Sequence, residues 1–176
     1  MSKRALVLAG LGLGLGVMSG SASASPSSEI RYGTRVVANG VEGSSGYTAY
    51  MCARSGAAGT TPKYFTKTTS YAKDVDVYLV ETTLLAPSKE YTIKPNGDVN
   101  RGSLKIGRLV YSRGVTTTVT YYDAGGNKKG SVSWSPASGG IYNASGAVIG
   151  SYGSAADGDM RMLALTFFYL APLHGC

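Results

Sequence analysis

The side chains able to do chemistry in this chain are few, and their spacing limits what they can do. His174 is the single histidine, in the run "PLHGC". Nucleophilic catalysis by serine needs a histidine held by a carboxylate and facing the hydroxyl. Two residues before Cys176, the backbone offers little to hold a ring rigidly, so His174 reads as a surface residue. Carboxylates are the next candidates: Asp74 and Asp76 share one strand face, and Asp157 and Asp159 flank Gly158 in "AADGDM". Two carboxyl groups in different environments can divide acid and base roles, so a carboxylate-dependent glycan hydrolase is one function open to the chain. The "DGD" run lacks the twelve-residue pattern of a calcium loop and reads as a turn. No glycine-rich phosphate loop joins a strand to a helix. Neither a cofactor nor a metal is expected, and the enzyme reading is the weaker one.

Cys52 and Cys176 are the two cysteines. An even count in an exported chain favours a disulfide between them, with a free thiol at Cys176 that joins another molecule as the alternative. Arg101, Lys105, Arg108 and Arg113 form the local concentration of cations. They are candidates for an anionic ligand, either a glycan or a lipid surface. Together with the apolar tail they also allow a basic membrane-active protein. Nucleic acid is not an expected partner.

Export itself is read from the first residues, "MSKRALVLAGLGLGLGVMSGSASAS". Lys3 and Arg4 precede a short apolar run, and Ala22-Ser23-Ala24 supplies a small-residue cleavage site, the pattern of a Sec-type signal peptide. Residues 1–24 are assigned to it and residues 25–176 to one β-rich domain that is secreted, periplasmic or at the cell surface. Taking out Lys3 and Arg4 leaves 15 of the 17 lysines and arginines against 10 acids, a formal charge of about +5.

The elements that must position these groups are strands. Val, Thr and Tyr alternate between short Gly, Asn, Asp and Pro runs, which predicts an all-β antiparallel sandwich or barrel-like meander. Residues 74–83 place Val75, Val77, Leu79 and Glu81 on one face, and residues 115–122 do the same for Val115, Thr117, Val119 and Tyr121. Pro95-Asn96-Gly97-Asp98 is a hairpin turn, since Asn-Gly accepts positive φ. Trp134 is the expected core anchor. The tail "MRMLALTFFYLAP" is continuous rather than alternating and predicts a buried C-terminal strand, with a short buried helix as its rival.

Residues 30–36 alternate, so that Ile30, Tyr32 and Val36 share a face. With Gly33 between the apolar positions, this segment is similar to the donor strand of fimbrial subunits, which implies pairing with a second copy or another surface protein. Finally, "YDAGGN" at 122–127 is nearly rewritten as "YNASGA" at 142–147. The first copy resembles the core of YD repeats in large secreted shells, but two copies cannot stack a continuous core. They read instead as two turns at the same end of a β meander, one plausible rim for a ligand. The leading functional expectation is a non-enzymatic exported protein with a binding or assembly role.

Overall fold

A computed structural model describes residues 27–43, 46–52, 63–66, 72–80, 87–135, 138–153 and 157–176. The strands are β1 (Ser27–Tyr32), β2 (Arg35–Gly43), β3 (Gly46–Met51), β4 (Lys63–Thr66), β5 (Val75–Val80) and β6 (Ser88–Ile93). They continue as β7 (Asp98–Arg101), β8 (Leu104–Ser112), β9 (Thr117–Asp123), β10 (Lys128–Ser135), β11 (Ser138–Asn143) and β12 (Val148–Tyr152). Each pairs antiparallel with the next, and β1 pairs with β12, so the sheet closes into a barrel. The expected all-β meander is thus a barrel, not a sandwich.

Alternation decides which residues line it. On β3, Tyr47, Ala49 and Met51 are buried; on β5, Val75 and Val77; on β9, Thr117, Val119 and Tyr121. The outward positions between them carry Thr48 and Tyr50 on β3, Asp76 and Tyr78 on β5, and Thr118 and Thr120 on β9. Val115, expected on the inner face of β9, is 99% exposed, because the strand begins only at Thr117. Glu81 lies outside the described residues. Trp134 is partly buried against the core.

An eight-stranded barrel is filled by its own side chains, and a wider one leaves a lumen. Here a helix fills it. After β12 the chain forms α1 (Asp157–Leu165), a π-helical turn (Thr166–Leu170) and α2 (Ala171–Leu173). All of residues 160–167 are buried. At 3.6 residues per turn such a run samples every side of a helix, so no side faces water and the barrel wall must surround it. This corrects the expected C-terminal strand. Asp157 and Asp159, read as part of a turn, instead fall within the first residues of α1.

Direction follows from connectivity. Neighbouring strands run up and down, so the β1–β2, β3–β4, β5–β6, β7–β8, β9–β10 and β11–β12 connections share one rim, and β12 ends at the other. The helix therefore enters at that second rim and runs back toward the first. Two contacts agree: Arg161 Nη1 donates to the Lys94 carbonyl beyond β6, at the entry rim, and Cys176 is bonded to Cys52 beyond β3, at the exit rim.

Aromatic rings bridge wall and helix. Tyr47, Tyr64, Tyr91, Tyr121 and Tyr152 are buried. Tyr91 meets Tyr169 edge-on with centroids 5.7 Å apart, and Tyr121 lies parallel to Phe168 at 6.4 Å. Glycines make room for these rings: a Cβ on Gly139 would sit 2.6 Å from the Tyr152 ring, and one on Gly107 would sit 2.6 Å from both Tyr121 Oη and the Tyr122 carbonyl.

Candidate functional site

At the exit rim a cavity of about 300 Å³ opens between the helix end and the wall, lined by Tyr32, Arg35, Val37, Lys129, Ile149, Phe167, Phe168, Ala171, Pro172 and Cys176. The wall side is made by interruptions in strand pairing. Ile30 pairs with Ala38 and Arg31 with Val36, which leaves Val37 as the extra residue of a bulge. Lys128 pairs with Tyr122 and Gly130 with Tyr121, leaving Lys129. Ile141 pairs with Gly150 and Tyr142 with Val148, leaving Ile149. A bulge inserts an unpaired residue, bends the strand and re-aims the side chain. All three extra residues line this one cavity.

The helix side is shaped by Pro172. Proline has no N–H to give to the carbonyl of Phe168, and its ring crowds that group. The ladder widens just before it, with the Ala171 N–H reaching Thr166 O. The chain then stops: Cys176 N–H bonds to Ala171 O and Gly175 N–H to Pro172 O, with Gly175 at φ +71°. This is a Schellman closure, which needs a left-handed residue in that position and satisfies the last carbonyls. Cys176 follows the glycine and forms the disulfide with Cys52, with Cα atoms 5.2 Å apart.

His174, expected at the surface, is half-buried. Its Nε2 lies 2.7 Å from Tyr64 Oη and the two rings are in contact. Burial lowers the His174 pKa, and burial is likewise the main cause raising that of Tyr64. The phenol therefore keeps its proton beside a neutral imidazole, and the ring's tautomer decides which of the two donates. That arrangement fixes the helix end against β4, and the polar contact shown for the His174 ring is with Tyr64.

The cations singled out in the sequence are strung along β7 and β8 and the connection after it. Arg101 reaches Glu90 at 3.1 Å, while Lys105 and Arg108 both face Asp98, at 2.7 and 3.9 Å. Lys105 is the main cause lowering the Asp98 pKa. Arg113 lies at the entry rim over the Tyr111 ring. Asp74 pairs with Lys94 at 2.6 Å, and Asp76 faces Lys89 and accepts from Thr92. Residues 30–36 are not one strand: the chain reverses at Gly33, φ +56°, and β1 is paired on one edge with β2 and on the other with β12. Its edges are occupied within the chain, not held out to a neighbour.

The twin turns do lie at the same rim, and they have the same construction. Asp123 N–H bonds to Asn127 O and Gly126 N–H to Asp123 O; Asn143, Ala147 and Gly146 repeat both bonds. In each, the first side chain accepts from the backbone N–H four residues on. The likeness extends past the turns: "YDAGGNKKGS" and "YNASGAVIGS" align Lys129 with Ile149, each just before a shared glycine. That extension was the sequence signal for the cavity, because the residue before the glycine is the bulged one.

The class this arrangement defines is a closed antiparallel barrel with its own C-terminal helix in the lumen and a mouth cavity built from bulges. No family model matches the chain, and no characterised protein or solved structure is similar enough to lend it a function.

Proposed function

We propose that this is an exported, non-enzymatic binding protein whose ligand enters the exit-rim cavity. One observation carries the reading: three separate bulges direct Val37, Lys129 and Ile149 into a single cavity. Bulges re-aim side chains and are common at barrel rims; three of those at this rim place their extra residue on the same cavity. The lining is mainly apolar with a few polar groups at its edge, the usual make-up of a small-molecule site, and its volume is at the lower end for one. The cleavable N-terminal pattern and the Cys52–Cys176 bond fit an oxidising compartment outside the cytosol.

The test uses the purified protein and the neutral fluorophore N-phenylnaphthylamine. Saturable binding at one site per chain, lost in Ile149→Trp with the melting temperature kept, is the expected result. A fluorophore that fails to bind, or that binds Ile149→Trp equally well, defeats the reading.

A further inference from the structure

Resting on that reading, we propose that the ligand is a medium-chain fatty acid, its chain in the cavity and its carboxylate between Arg35 and Lys129. The floor is formed by Val37, Ile149, Phe167, Phe168 and Ala171, which offer an acyl chain no hydrogen-bonding partner. At the mouth stand Arg35 and Lys129, both exposed, beside Tyr32, which is 58% exposed. Charge decides the head group. Arg31, Lys89, Lys94, Arg101, Lys105 and Arg108 each have a carboxylate within ion-pair distance. Among the described residues no carboxylate stands so close to Arg35 or Lys129. Asp123, whose carboxylate accepts from the Asn127 amides, is not within ion-pair distance of Lys129.

The helix end could oppose an anion, since its carbonyls carry partial negative charge. It is capped here, with Leu170, Ala171 and Pro172 carbonyls all accepting bonds from the closing turn. Arg35 and Lys129 thus bring two positive charges to the opening, with no side-chain carboxylate among the described residues paired to either. The placement of Lys129 is itself a consequence of a bulge, which turns an outward surface lysine to the cavity edge. A cavity this size takes one chain and leaves no space for the two of a membrane phospholipid.

Competition against bound N-phenylnaphthylamine separates this inference from the one beneath it. Dodecanoate should displace the fluorophore at about tenfold lower concentration than dodecanol, the scale of one charge-assisted contact. Dodecyltrimethylammonium should be the weakest competitor. In R35Q/K129Q the preference for dodecanoate over dodecanol should fall to about one, and in R35E/K129E the cationic amphiphile should become the strongest. If dodecanoate and dodecanol compete equally on the unaltered protein, the fatty-acid assignment fails while the binding function stands. Preference for lysophosphatidylcholine over dodecanoate also overturns it, in favour of a lipid head group. If none displaces the fluorophore, the fatty-acid assignment fails, while the binding function is judged by the fluorophore itself.

Discussion

At the entry rim, the β2–β3, β4–β5, β6–β7, β8–β9 and β10–β11 pairs keep an unbroken register. At the exit rim, β1–β2, β5–β6, β7–β8, β9–β10 and β11–β12 each shift by one residue, at Val37, Glu90, Ile106, Lys129 and Ile149. The same hairpins thus close one end of the barrel regularly and the other with bends. Where pairing is regular, buried Arg161 reaches the Lys94 carbonyl in the turn beyond β6. Where it is bulged, side chains are diverted, a gap remains beside the helix, and the helix end is held by a covalent bond. Both rims leave a cavity beside the helix, about 300 Å³ at the exit rim and about 350 Å³ beside Arg161 at the entry rim, so what sets the exit rim apart is that bulged residues line its cavity and a disulfide holds the helix end.

The largest way to test that contrast is to remove the tether. Cys52 and Cys176 are 124 residues apart, and the chain-entropy model gives about 4–5 kcal/mol for a loop of this size. C52A/C176A should lose stability on that scale in urea unfolding. The loss should also be uneven: amides at residues 170–176 should exchange much faster, while those at residues 160–165 stay protected relative to global opening. Equal loss along the whole helix would mean that the two rims hold it in the same way.

A smaller effect separates the bulged wall from the turns. Gly107 follows the bulged Ile106, and a Cβ there meets the Tyr122 backbone carbonyl, which cannot swing aside. Gly107→Ala should cost about 1–3 kcal/mol, as overpacking does. Gly114, in the β8–β9 connection at the entry rim, has only the Thr116 carbonyl at 3.9 Å, and Gly114→Ala should be close to neutral. Thermal denaturation of the pair reads this directly. Equal melting temperatures would remove the claim that glycine at the bulges is there for space.

How far these features were legible depends on how local their causes are. Alternation on β3, β5 and β9 and the Asn-Gly turn after Pro95 are set by neighbouring residues, so they could be read along the chain. The disulfide followed from cysteine parity. The tail was misread because an amphipathic helix announces itself by a polar face, and a helix enclosed by a barrel has none. Thr166, Phe167, Phe168 and Tyr169 then favoured a strand on propensity alone. Gly175 as a helix stop and the acids at 157 and 159 were the contrary cues. The cavity was least visible of all, since a bulge is a relation between two strands, and only the repeat of Lys129-Gly130 as Ile149-Gly150 sets Lys129 apart from Lys128.

The smallest expected effect concerns the helix end at His174, and its sign can be worked out. Burial holds the His174 pKa below its ordinary value, which is about 6.5 in an unfolded chain. Between those two values the unfolded state binds more protons than the folded state, so stability rises with pH across that window. The contribution is whole above about pH 6.5, declines as pH falls toward the depressed value, and is flat below it. Asp98 and Asp123, whose pKa values are lowered by Lys105 and by the Asn127 amide, act only in the carboxylate range at more acid pH. His174→Phe keeps a ring against Tyr64 but cannot titrate. Urea unfolding between pH 5 and 8 should therefore show the unaltered protein losing stability toward pH 5 relative to the variant, with the difference constant above pH 7. Parallel profiles would mean that His174 is solvated rather than held neutral by burial, and the exit rim would then owe its order to the disulfide and the Gly175 closure alone.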